Sequence, residues 1–312
     1  MPSKPPIVPC PACGQKDFKF YCPASFLKGD KRWIMECASC GLSRLWPMPN
    51  GRELGRYYDQ GYYHFNRRSE EGKGYYYARM LKRIQERGRF LDVGCATGFF
   101  LNGIRKNCRW DLYGLETGKG AGAYARRKLG LRVKDAPLEK AGYPRDFFDF
   151  IHLNNVLEHV LDPAVVMKAA GRILKPGGRL YLAVPNGRVD RHGYWDYQQK
   201  FGKRAASLDG HLYFFSPQSI SLLAKEAGLR VEKAYGSGLK RALRVFGYWP
   251  RRRGWEALYQ GKEPGVKTVE ESVVEGKAYP PLYYLFKHGL EPFQRIPGFF
   301  PWTYDFNIYL TK

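Results

Sequence analysis

At 312 residues, the chain has room for one large domain or two ordinary ones and can bury a substantial core. It carries 52 Lys and Arg against 29 Asp and Glu, a formal charge of +23, which favours an anionic partner, whether nucleic acid, phosphorylated substrate or membrane surface. No run of about 18 uncharged apolar residues is present, against a transmembrane helix, and the start MPSKPPIVPCPACG lacks the apolar stretch of a signal peptide, which points to the cytoplasm and reduced thiols.

The first segment, residues 1–48, reads as a small metal-binding ribbon. CPACG and CASCG place Cys10, Cys13, Cys37 and Cys40 in two C-x2-C pairs. Such pairs bring four thiolates to one tetrahedral zinc ion from two directions. DFKFYCPASF and RWIMEC between them have the composition of short strands. With all four places filled by protein, the zinc is structural. Neither pair precedes a helix in a redox-type setting, and Cys22 is left as a spare thiol.

Residues 49–88 form an aromatic and helical connector. RYYDQGYYHFNRR is rich in tyrosine, suited either to a pocket lining or to a bridge between ribbon and main domain. GYYYARMLKRIQER then has a helical pattern.

From residue 89 strands and helices alternate. RFLDVG, WDLYGLE, LRVKDA, DFFDFIHLNN, GRLYLAVPN and LRVEKAYG read as strands, with FNIYLTK as a seventh at the end. Helical patterns lie at FFLNGIRKN, GAGAYARRKLG and SPQSISLLAKEAG, and at VLEHVLDPAVVMKAAGRIL from near Val156. KPGG at 175–178 is expected as a turn before the fifth strand. This alternation predicts an α/β fold with a mostly parallel seven-stranded sheet covered on both faces. Ligands then bind beyond the carboxyl ends of the strands. The turn after RFLDV has the spacing D-x-G-x-x-x-G, which matches neither the dinucleotide fingerprint nor a P-loop. Glu116 ends the next strand about 20 residues on, where an acid can accept both hydroxyls of a ribose.

LDVGCATGFF, YGLE, FFDFIHLNNVLEHVLDP and RILKPGGRLYLAVPN together resemble class I S-adenosylmethionine-dependent methyltransferases with a Rossmann-like sheet. The ribbon and tyrosines in front resemble a bacterial subgroup with an N-terminal four-cysteine zinc ribbon. The resemblance assigns residues 89–237 and 304–312 to the methyltransferase core. It implies S-adenosylmethionine as cofactor, with Asp92, Gly94, Cys95 and Gly98 around its methionine part. Glu116 would hold the ribose hydroxyls and Ala136, between Asp135 and Pro137, would lie near adenine. Asn154 and Asn155 would face the methionine amine and the transfer site. Glu158 and His159 are adjacent rather than spaced as a zincin motif, so an architectural role is expected for both.

Methyl transfer to oxygen or carbon also needs a base near neutral pKa. The candidates are His211, which the family resemblance favours, His192 and His64. Loop anchoring is the alternative role for His211. WDYQQKFGKRAASLDG is expected as part of a lid or acceptor wall. Residues 238–303, with RALRVFGYWPRRRGWEALYQ and Arg251–Arg253, mix aromatic and basic residues. They suit a lid, a partner surface or contact with anionic lipid. The expected acceptor is a small molecule, a saccharide or a lipid-linked compound. RNA, or a non-catalytic binding role on the same fold, is the alternative. Oligomeric state stays open.

Overall fold

The computed structural model of the protein describes residues 8–27, 29–59, 65–206, 210–250, 253, 255–260, 268–276 and 303–312. Its N-terminal part contains strands β1 (Phe18–Ser25), β2 (Arg32–Cys37) and β3 (Ser43–Trp46). Helix α1 (Gly51–Asp59), the short strand β4 (Phe65–Asn66) and helix α2 (Arg67–Ile84) lead into the main domain. Asn66 starts α2 by accepting the Ser69 N–H at 3.0 Å, an ordinary N-cap.

The main domain alternates strand and helix: β5 (Arg89–Val93), α3 (Phe99–Arg105), β6 (Asp111–Leu115), α4 (Lys119–Leu129) and β7 (Val133–Lys134). It continues with β8 (Phe148–Asn154), α5 (Pro163–Ile173), β9 (Leu174–Pro185) and α6 (Gly187–Phe201). Then follow β10 (Ala205–Ala206), β11 (Tyr213–Phe214), α7 (Pro217–Glu226), β12 (Arg230–Ser237) and α8 (Leu239–Val245). Short α9 (Val269–Ser272) and β13 (Val273–Val274) precede the last strand, β14 (Asp305–Thr311).

The large sheet has seven strands in the order β12-β14-β9-β8-β5-β6-β7. Only β14 runs against its neighbours β9 and β12. The expected mostly parallel architecture is therefore present. Because side chains alternate across a strand, Phe90 and Asp92 of β5 face α2 and α3, whereas Leu91 and Val93 face α5 and α7. The order reverses between β5 and β8, and that switch opens a crevice at their carboxyl ends.

Several elements differ from the sequence expectation. The helix expected near Val156 begins at Pro163. Before it lies a 3-10 turn, Leu157–His159, because the Asp162 carboxylate caps the Ala164 and Val165 N–H groups at 2.9 and 3.2 Å. KPGG lies inside β9, at a register shift in its pairing with β8. The stretch expected as a lid begins with the last two turns of α6, where Tyr197 is buried.

The ribbon is joined to the main domain through a second sheet, ordered β10-β1-β2-β3-β11. Its outer strands come from the segment after α6. Phe26, Ile34 and Leu45 share one apolar cluster with Leu153, Leu182 and Phe214. Tyr57 of α1 is buried, with its ring 4.8 Å from that of Phe26, so this connector tyrosine acts as a bridge. Tyr62, Tyr63 and His64 lie outside the described residues.

Candidate active site at the carboxyl edge of the large sheet

The turn after β5 is built for close approach. Gly94 has φ 73° and Gly98 has φ 77°, the left-handed region that glycine enters without strain. A Cβ on Gly94 would stand 2.7 Å from Val156 Cγ2, and one on Gly98 would stand 2.5 Å from Leu131 Cδ1. Asp92 faces the opposite side. Its register partner on β8 is His152, and Asp92 Oδ1 lies 2.8 Å from His152 Nδ1. Burial raises the Asp92 pKa, with His152 opposing the shift. His152 is gripped by aromatic rings, 4.7 Å from Phe100, 5.2 Å from Tyr181 and 5.1 Å from Tyr77.

At the end of β6, Glu116 accepts the Ala96 N–H at 2.8 Å and the Gly118 N–H at 2.6 Å. Burial raises its pKa, and the two backbone donors oppose that rise. They also fix the carboxylate in one orientation. Asp135 is committed elsewhere, in a two-pronged pair with Arg126 at 2.7 and 2.8 Å.

Three cavities open along this edge. A cavity of about 850 Å³ is bounded by Glu116, Ala136, Pro137, Leu138 and Val156. A second, of about 340 Å³, is bounded by Asp92, Cys95, Asn154, Asn307 and the α2 residues Glu70 and Lys73. The third, of about 330 Å³, holds Glu158, His211, Arg241, Tyr304 and Asp305. Gly94 borders the first two, Asn155 the second and third, and His159 the first and third. Asn155 has φ 54°, and its N–H donates to the Ala183 carbonyl at 2.9 Å.

The third cavity contains a constellation that sequence reasoning found only in part. His211 is buried, and its Nδ1 lies 2.6 Å from Asp190 Oδ2. A carboxylate only accepts hydrogen bonds, so the proton in this contact sits on Nδ1. The His159 ring stands 5.0 Å from that of His211. Glu158 is 0% exposed, and neither carboxyl oxygen has a hydrogen-bond partner among the described residues. Burial pushes its pKa up to about 8, against the pull of His211. At neutral pH the acid therefore stays largely protonated, which avoids burying a bare charge. Asp190 was missed because a polar residue near the start of a helix carries no signal of its distant partner.

The four ribbon cysteines converge as expected. Cys10 and Cys40 Sγ are 3.6 Å apart, Cys13 and Cys37 Sγ 3.5 Å apart, and all four sulfurs lie within 4.8 Å of one another. Zinc–sulfur bonds of about 2.3 Å in a tetrahedron require sulfurs separated by about 3.8 Å, so the donor set fits zinc. Cys22 is buried away from the cluster, and burial pushes its thiol up to about 12.

The structure thus brings Asp92, Gly94, Cys95, Glu116, Ala136, Asn154, Asn155 and His211 to one edge. Gly98 stands just behind it, at the start of α3. His192 is elsewhere, packed against Trp195 at 5.2 Å and Phe246 at 4.8 Å.

A family model described as a methyltransferase domain matches residues 65–234, more than half of the chain. An uncharacterized protein of Methanocaldococcus jannaschii is 27% identical over 154 residues, covering 49% of this chain and 70% of its own length. A ubiquinone biosynthesis O-methyltransferase of Thiobacillus denitrificans is 27% identical over 157 residues, covering 47% of this chain and 67% of its own. Among solved structures, a SAM-dependent methyltransferase of Thermotoga maritima aligns with TM-score 0.41 and 24% identity, over 61% of this chain and 83% of its own.

Proposed function

From the premise that the chain belongs to the methyltransferase-domain family, we propose that it moves a methyl group from S-adenosylmethionine to a hydroxyl on a small-molecule, saccharide or lipid-linked acceptor. The observation that carries this reading is the meeting of three cavities at Gly94, Asn155 and His159. They provide separate places for a nucleoside, an amino-acid chain and an acceptor.

S-adenosylmethionine, when bound, supplies a methyl group already activated on sulfur, so positioning and water exclusion are the protein's main contributions. Glu116 would receive the ribose hydroxyls, pre-aimed by the Ala96 and Gly118 N–H groups. Ala136 lies on the wall where adenine would rest. Asp92, Gly94, Cys95, Gly98 and Asn154 would surround the methionine part, and Asn155 would mark the transfer point. His211 would take the hydroxyl proton on Nε2 as the oxygen attacks. The Asp190 carboxylate holds that ring's tautomer and stabilises the imidazolium that results.

In the same reading the four cysteines hold a structural zinc. Residues 238–303 contact anionic lipid: Tyr248 is 71% exposed and Trp249 45% exposed, and Lys240 Nζ lies 5.2 Å over the Trp249 ring. Arg251 and Arg252 lie outside the described residues. The Thiobacillus relative's name, an O-methyltransferase, supports an oxygen acceptor.

The test uses the full chain, methyl-labelled S-adenosylmethionine and a cell extract divided into RNA, protein, lipid and small polar fractions. Label should enter the lipid or small polar fraction. His211→Gln should lower incorporation by about 10²-fold or more while leaving cofactor affinity intact. Label confined to RNA would overturn the acceptor class. Cofactor binding without label in any fraction would favour the non-catalytic role.

A further inference from the structure

The ribbon bonds to the sequence neighbours of both members of the acceptor-side dyad. Arg191, next to Asp190 on α6, donates to Ser43 Oγ of β3 at 2.7 Å and pairs with Glu36 of β2 at 2.7 Å. Its guanidinium also lies 4.4 Å over the Tyr21 ring of β1. Leu212, next to His211, accepts the Leu45 N–H of β3 at 2.9 Å and donates its own N–H to the Glu158 carbonyl at 2.8 Å. Beyond it, Tyr213 and Phe214 pair with Arg44 and Ser43. Ser216 Oγ donates at 2.6 Å to the carbonyl of Cys40, itself one of the four clustered cysteines.

Asp190 and His211 are 21 residues apart in sequence. A hydrogen bond between them demands that α6 and the segment before β11 be held in register. The neighbour of each member is bonded to β3, and β3 follows directly on the Cys37–Cys40 knuckle. We propose that the ribbon is a positioning device for the proposed base: metal-ordered β3, acting through Arg191 and Leu212, holds Asp190 against His211. Arg191 is thus a positioning residue. The cofactor-facing residues Gly94 and Glu116 take their places from β5 and β6, so the Arg191 and Leu212 contacts govern the dyad without touching them. This inference rests on His211 as the proposed base, but its test reads the dyad directly.

The experiment follows the His211 Nδ1–H proton in the ¹⁵N-histidine-labelled full chain, assigned by its loss in His211→Gln. Its exchange with water is measured in zinc-loaded protein, after zinc removal by chelation, and in Arg191→Gln, Arg191→Lys and Ser43→Ala. S-adenosylhomocysteine affinity is measured on each by calorimetry. Exchange should quicken at least about tenfold in the zinc-free chain and in Arg191→Gln, less in Arg191→Lys, with affinity unchanged in the Arg191 variants.

Equal exchange across these samples would overturn the proposal. So would loss of proton protection and cofactor affinity together in Arg191→Gln, which would mark a general loss of structure. Should the zinc-free chain unfold, the Arg191 and Ser43 variants decide alone. If the proton responds as expected but His211→Gln keeps full methyl transfer, the positioning role stands and the base assignment falls.

Discussion

Glu158 carries a carboxyl group with no exposed surface beside two imidazoles, and its titration has a consequence for stability. Its folded pKa of about 8 stands above the ordinary value of 4.5, so the folded state holds the proton more tightly than the unfolded chain. The stability this contributes is complete below about pH 4.5, declines as pH rises, and is gone above about pH 8. A single such group gives a slope of up to about 1.4 kcal/mol per pH unit in that window. Urea unfolding of Glu158→Gln between pH 5 and 8 should lack that portion of the wild-type slope; parallel curves would mean that the carboxyl ionises normally. Glu116 was legible from its distance beyond the glycine turn. The condition of Glu158 was not, because burial is set by α6 and the segment around His211, which are remote in sequence.

Helices α2 and α3 meet backbone to backbone, and that contact shapes one wall of the second cavity, the one of about 340 Å³. A Cβ on Gly103 would fall 2.2 Å from the Glu71 carbonyl oxygen, and one on Gly74 would fall 2.2 Å from the Phe100 carbonyl oxygen. Around them, Glu71 accepts from Asn102 at 2.6 Å and from Lys106 at 2.9 Å. Gly103→Ala should therefore cost about 1–3 kcal/mol by overpacking. It should also weaken S-adenosylhomocysteine binding, because α2 carries Glu70, Lys73 and Tyr77 along that wall. Denaturant titration and calorimetry together test this, and unchanged values in both would show that the helices separate without penalty. Both helices were legible from apolar spacing. Their near-contact was not, since a glycine inside a helical pattern gives no hint of what approaches it. The α5 boundary shows the same limit: the apolar spacing ran back to Val156, but Asp162 and Pro163 set the start.

For the whole molecule, a charge of +23 and the exposed aromatic side chains around α8 lead to a salt-dependent expectation. The full chain should co-sediment with vesicles containing phosphatidylglycerol at about 50 mM salt and be released near 1 M, where the screening length shrinks to about 3 Å. Paired Tyr248→Ala and Trp249→Ala changes should weaken that binding. Equal binding to neutral vesicles, or none to anionic ones, would remove the lipid contact from the proposal. The sequence by itself determined the α/β class, the cysteine knuckles, the glycine turn and the acid that follows it. Each depends on residue types at short, regular separations, where backbone geometry alone dictates what is close. Only the tertiary structure decided that the ribbon sheet is completed by β10 and β11, that Asp92 meets His152, and that Asp190 meets His211 beneath it. Those meetings follow from strand register and from the docking of segments 21 to 60 residues or more apart, which depend on the packing of the whole core rather than on local spacing.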